Sequence, residues 1–203
     1  MSCSDSYRRK FVVGLGNPGR EYADTRHNVG FQVLEALRCR WQVSGGRKAF
    51  DGRCDEARPQ RPESGVRRVL LLEPHTFMNC SGRAVGEMAR FHRADCQDIL
   101  VVLDDLALPL GRLRLRASGS AGGHKGLADV LAALGSESVP RLRIGIGSPP
   151  ERMDATDFVL TPFADGELEE IARAIQLAAE AVEDWVFHGA EYVMEKYNRK
   201  AED

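Results

Sequence analysis

Short apolar runs bounded by turn residues alternate along this chain with segments of helical periodicity, and that alternation restricts the fold more than any other feature. Strand-like runs lie at Phe11–Leu15, Val66–Leu72 and Ile99–Leu103, and two segments alternate apolar with basic residues, RLRLR at 112–116 and RLRIGI at 141–146. Helical patterns fall between and after them: Asn28–Trp41, Ser81–His92 with Ser81 as N-cap, Leu127–Leu134 ended by Gly135, about Asp165 to His188 stopped by Gly189, and a short helix from Ala190 to Tyr197. Strands alternating with helices argue for an α/β fold: one domain over 1–203, a three-layer α/β/α arrangement around a central twisted, mixed, largely parallel sheet. With 43% hydrophobic residues, 203 positions suffice for one substantial core. Val66–Arg68 and RLRLR are expected to pair as antiparallel edges, Lys48 to Gly65 reads as an irregular strand or loop, and 1–9 and 198–203 are expected to be mobile ends.

The same residues exclude several classes. No apolar run approaches membrane-spanning length and MSCSDSYRRKF has no apolar signal core, so a cytoplasmic protein without a membrane partner is expected. Five cysteines, an odd number without C-x-x-C spacing, support neither a disulfide framework nor a zinc site. The net charge of -2 hides clustering. Acids crowd 165–184, whereas Arg112, Arg114, Arg116, Lys125, Arg141 and Arg143 fall where acids are few.

GLGNPG fits G-x-G-x-x-G at Gly14, Gly16 and Gly19, the fingerprint of a dinucleotide site. That site needs a helix starting at the glycines, so that free N–H groups face a pyrophosphate. Pro18 and the polar stretch GREYADTR delay the helix, and no acidic residue ends a second strand, so a nicotinamide or flavin cofactor is not expected. Ser118–Gly126 is a glycine-rich loop entering a helix, with backbone N–H groups and Lys125 available to an anion, but it lacks G-K-[ST] and is not a Walker motif. Its bland reading is a mobile surface loop.

Chemistry-bearing residues follow the strands, where open α/β sheets place ligand crevices. His27 stands just before a helix as a candidate base, with Asn17, Tyr22 and Asn28 in the same loop; helix capping and local turn bonds are the competing readings. Asp104 and Asp105 end a buried-looking strand. Asp104 suits the support of an imidazole, a Mg²⁺ site is a second functional reading, and a turn role is the third. Asn79 offers donor and acceptor atoms for a peptide group, while Phe77 and Met78 read first as core. RLRLR puts Arg112, Arg114 and Arg116 on one face, suited to phosphates or to guarding an edge strand.

Together GLGNPGREYADTRHNVG, PHTFMNCSGRAV, LDDLALPLGRLRLR, GSAGGHKGL and RLRIGIGSP resemble the bacterial-type peptidyl-tRNA hydrolases, in family order from Phe11 to Pro149, with FVLTPF (158–163) and the acidic helix following. The resemblance implies a monomeric, cofactor-free and metal-free enzyme that cleaves the ester joining peptide to tRNA on molecules dropped from ribosomes. It implies His27 as the base that activates water and Asp104 as its support. It also implies Asn17 and Asn79 as peptide-backbone ligands, with Tyr22, Phe77 and Met78 lining the site, Lys125 at the substrate, and Arg116 and Arg143 on tRNA phosphates. One departure stands out: many relatives carry asparagine after the histidine of the GGH loop, where this chain has Lys125. Two rivals remain, a non-catalytic RNA-binding relative of the kind that assists splicing, and a metal-dependent hydrolase of similar architecture, although no H-E-x-x-H is present.

Overall fold

The computed structural model describes residues 9–62 and 65–198. Among the described residues nine strands and six helices follow in chain order, with short 3₁₀ turns between: β1 Lys10–Gly14, α1 Val29–Arg40, β2 Arg47–Ala49, β3 Gly52–Ala57, β4 Gln60–Arg61, β5 Gly65–Val66, β6 Val69–Pro74, α2 Ser81–His92, β7 Ile99–Asp105, β8 Leu113–Arg116, α3 Lys125–Leu134, β9 Arg141–Gly145, α4 Ala155–Val159, α5 Leu168–His188 and α6 Ala190–Tyr197. Seven strands form one sheet in the order β2-β3-β6-β1-β7-β9-β8. The central four, β6-β1-β7-β9, are parallel. Antiparallel strands flank them, β3 and β2 on one side and β8 on the other.

Both faces of the sheet are covered, as the near-continuous apolar strands require. Val12, Leu71, Leu100, Val102, Leu142 and Ile144 pack with Val33, Leu34 and Leu37 of α1 and with Ala178, Val182 and Trp185 of α5. Their strand neighbours Val13, Leu70, Leu72, Val101 and Leu103 point the other way, onto Ala84, Val85 and Met88 of α2 and Leu127, Val130 and Leu131 of α3. This is the expected three-layer α/β fold with a mixed, mainly parallel sheet.

Several expectations need correction. The strand begins at Val69 rather than Val66, and 65–66 pairs instead with 60–61 in a separate small hairpin. RLRLR pairs with β9, not with 66–68, and its regular part is Leu113–Arg116. Within the stretch read as irregular, β2 and β3 form a hairpin on the sheet edge. Its two-residue turn, Phe50-Asp51, has both residues at positive φ (53° and 48°), the twist such hairpins favour but an unusual choice for phenylalanine. Ser81 does not cap α2; it is buried, and its hydroxyl donates to the Met78 carbonyl at 2.9 Å. Residues 1–8 and 199–203 of the expected mobile ends lie outside the described residues. Arg9 is held near Glu56 at 3.7 Å. The Asn198 side chain accepts from the Leu115 N–H at 2.8 Å and donates to the Leu115 carbonyl at 2.9 Å, closing part of the β8 edge.

The glycines of GLGNPG serve packing. A Cβ on Gly14 would run into the Gly30 carbonyl, and one on Gly30 would stand 2.5 Å from backbone atoms of Leu15, so α1 crosses β1 at backbone contact. Only Gly19 of the three needs a left-handed backbone, at φ 119°. Gly30→Ala is therefore expected to destabilise the fold by about 3 kcal/mol, the upper range for overpacking against atoms that cannot yield, read from the denaturant midpoint.

Candidate active site

The carboxyl ends of β1 and β7 bring the site together. After β1 the chain folds back on itself. Asn28 donates its side-chain amide to the Asn17 carbonyl at 3.0 Å and accepts from the Asn17 N–H at 2.9 Å. On the other side of His27, the buried Arg26 donates to the Ile146 carbonyl at 2.9 Å, pairs with Glu167 and stacks on Phe158 and Phe163 at 4.3 and 4.7 Å. His27 thus stands on a single residue pinned from both flanks.

His27 Nδ1 lies 2.8 Å from Asp104 Oδ1. The same oxygen meets a second imidazole, His124 Nε2, at 3.1 Å. The backbone N–H of Leu127 donates to His124 Nδ1 at 3.1 Å as that residue caps α3. A neutral His124 therefore carries its proton on Nε2 and donates it to Asp104. The rings of His27 and His124 stand 5.1 Å apart. Asp104 is 3% exposed. Burial alone would raise its carboxyl, but His124 and His27 outweigh that and hold it well below its ordinary value of 3.8.

His27 lines two adjoining clefts. One, of about 270 Å³, is bounded by Asp104, Asp105, Gly122, Gly123, His124, Lys125 and Arg143; the other, of about 260 Å³, by Asn17, Phe77, Met78, Asn79 and Leu160 with Lys125. Thr156 and Val159 of α4 border both. The first is polar on its arginine side, and the second offers apolar walls with two carboxamides.

The remaining expected site residues divide. Asn17 is buried, and its Oδ1 accepts from the Met78 N–H at 2.8 Å, which leaves its side-chain N–H groups for the cleft. Asn79 and Phe77 are exposed at the rim, Phe77 by 60%, while Met78 is buried against Gly126. Tyr22 lines neither cleft, and its carbonyl accepts from the Thr25 hydroxyl at 2.8 Å. Arg116 and Arg114 are exposed on the edge strand β8, and Arg143 opposite Arg114 pairs with Asp105 at 2.8 Å. Arg141 is buried instead, donating to the carbonyls of Val139 and Ser120 at 2.7 and 3.0 Å, and so anchors the glycine-rich loop.

Sequence reasoning passed over His124 and Arg26. His124 carried the same signal as His27, a histidine directly before a helix. Nothing in the local pattern marked Arg26, whose partners lie more than a hundred residues away.

His27, Asp104 and His124 also form the one group among the described residues with metal-ligand character. Their hydrogen bonding does not suit an ion. His124 would need a bare Nε2 to ligate, which places its proton on Nδ1, against the Leu127 N–H. The alternative Mg²⁺ pair is also unsuited, because Asp104 and Asp105 alternate along β7 and Asp105 is engaged by Arg143 and the Ala107 N–H. Cys39, Cys54, Cys80 and Cys96 are free thiols. Among the described residues no helix is long and apolar enough to cross a membrane.

A histidine braced by a buried carboxylate, at the carboxyl ends of a mixed sheet and beside a double cleft, defines an α/β protein with a candidate acid–base site. The family model for peptidyl-tRNA hydrolase matches residues 11–203, and the chain belongs to that family. Peptidyl-tRNA hydrolase of Rhodopirellula baltica is 47% identical over 189 residues, covering 93% of this chain and 97% of the relative. That of Symbiobacterium thermophilum is also 47% identical, over 93% and 98%. A crystal structure of peptidyl-tRNA hydrolase from Acinetobacter baumannii is similar with a TM-score of 0.85 and 32% identity, over 98% of this chain and 97% of that one.

Proposed function

We propose that this protein hydrolyses the ester between peptide and tRNA in peptidyl-tRNA, with His27 as the base that activates water. The family supports the reaction, and one observation carries the assignment of the base: His27 Nδ1 is engaged by Asp104 at 2.8 Å, leaving Nε2 for the junction of the two clefts. Nε2 takes a proton from water as the water oxygen bonds to the ester carbon. The resulting imidazolium is balanced by Asp104, itself held in place by His124. The carbonyl electron pair moves onto oxygen, where the free amide of Asn17 can donate, an effect worth about 3 kcal/mol. Collapse then breaks the bond to the ribose 3′ oxygen, which takes the proton back from His27. The peptide leaves as a carboxylic acid and the tRNA as a free hydroxyl.

In this reading the carboxamide cleft with Asn79, Phe77 and Met78 holds the peptide, and the arginine side receives tRNA. Tyr22 keeps only the role the resemblance gives it, since its bonding is local. Arg116 and Arg143 grip phosphates without reading bases, which suits a substrate class of many tRNAs. Arg116→Ala is expected to weaken tRNA binding and to reduce the slope of log affinity against log salt by about 1, measured by filter binding across a salt series. An unchanged slope rejects that contact. A cytoplasmic location and a monomer complete the reading.

The test is hydrolysis of N-acetylaminoacyl-tRNA by purified protein. RNA binding without turnover would favour the splicing-type rival, although the relatives named above are hydrolases. Chelation with EDTA is expected to leave the rate unchanged at fixed ionic strength, and a loss restored by Zn²⁺ would overturn the metal-free mechanism.

A further inference from the structure

We propose that Lys125 is a catalytic residue whose ammonium group meets the negative charge that builds on the ester carbonyl oxygen; the proposal rests on the hydrolytic reading above and deepens it. Lys125 lines both clefts together with His27, so it stands where the acyl group must cross from one to the other. Two cationic side chains, Lys125 and Arg143, border these clefts among the described residues. Arg143 is tied to Asp105 at 2.8 Å. Lys125 is exposed, and no carboxylate among the described residues pairs with it.

Its placement is fixed from two sides. His124, the preceding residue, is held by Asp104 and by the Leu127 N–H. Gly126, the following residue, packs so closely on Met78 that a Cβ there would strike the methionine sulfur. The backbone bearing Lys125 is thereby tied both to the general base and to the loop carrying Asn79.

A lysine at this position works against the local field. It is the first residue of α3, where the helix presents its positive end and favours an anion over a cation. A surface lysine kept only for solubility gains nothing there. An anion arriving in the cleft reverses the sign, because the ammonium, the helix end and the Asn17 amide then all act on it together. Lys125 transfers no proton in this scheme, since the proton taken from water travels through His27 to the departing 3′ oxygen.

The experiment compares Lys125→Met, Lys125→Asn and Lys125→Arg on N-acetylaminoacyl-tRNA, with His27→Ala alongside, and measures the Kd of each for a non-hydrolysable 3′-amide-linked analogue. Lys125→Met is expected to lower kcat on the order of 10²-fold, the loss typical of one oxyanion donor, while Kd for the analogue stays unchanged. Lys125→Arg should retain most of the rate and Lys125→Asn should fall between. Circular dichroism guards against misfolding, and Lys125→Asn supplies the readout if Lys125→Met misfolds. A wild-type kcat in Lys125→Met or Lys125→Asn overturns the proposal. So does a weaker Kd with kcat unchanged, which would make Lys125 a contact to bound substrate such as a phosphate. An inactive wild type, or a fully active His27→Ala, instead overturns the hydrolytic reading beneath it.

Discussion

His27→Ala is expected to lower kcat on the order of 10⁴-fold while the protein folds normally and binds the amide-linked analogue as before. General-base catalysis by a placed imidazole contributes about 10² to 10⁴, and the substitution takes away the acceptor proposed for the proton of water. At the upper end this corresponds to about 5.5 kcal/mol of barrier. The fold should tolerate the change, because the loop is anchored by Arg26 and Asn28 rather than by the imidazole. Single-turnover hydrolysis of N-acetylaminoacyl-tRNA measures the effect, and an unchanged rate removes His27 from the mechanism.

Asp104→Asn is the second large effect, expected at about 10³-fold in kcat with little change in KM. Asparagine fills the same space and its carbonyl can still accept from both rings, so the variant isolates charge from shape. What disappears is the negative partner of the imidazolium that forms when water is deprotonated. If the amide instead turns its nitrogen toward the rings, two N–H donors confront a third and His27 loses its orientation. The same carboxylate links activity to stability. Its folded pKa lies below its ordinary value of 3.8, so its contribution is present above that pH and is lost as pH falls through the folded value. Acid unfolding of Asp104→Asn should therefore begin from a less stable state at neutral pH and depend less on pH below about 4. Equal acid dependence in both proteins would show that the carboxylate is not held by the imidazoles.

Much of the architecture was legible because it is written in periodicity. The apolar runs at 11–15 and 99–103 and the helix at 81–92 bury what their patterns mark, and RLRLR buries Leu113 and Leu115 as alternation requires. The edge hairpin was not legible. Its strands are charged and short, and its turn places phenylalanine and aspartate where glycine or asparagine would have signalled a bend. The site was legible as residue types after strands, but not as a network. That one carboxylate oxygen serves two histidines 97 residues apart is a property of how β1, β7 and α3 converge, and no local pattern carries it. Arg26 was missed for the same reason, and Arg141, counted only among the clustered basic residues, has backbone carbonyls as its partners.

The paired hydrogen bonds between Asn198 and Leu115 bear on how a polynucleotide can be handled at all. Of the two arginines proposed to meet it, Arg116 rides on the outermost strand, the place where a sheet is most apt to recruit a foreign strand. By occupying that rim with its own carboxamide, the polypeptide leaves the guanidinium face open while denying main-chain zippering to passing peptides, including those it has just released.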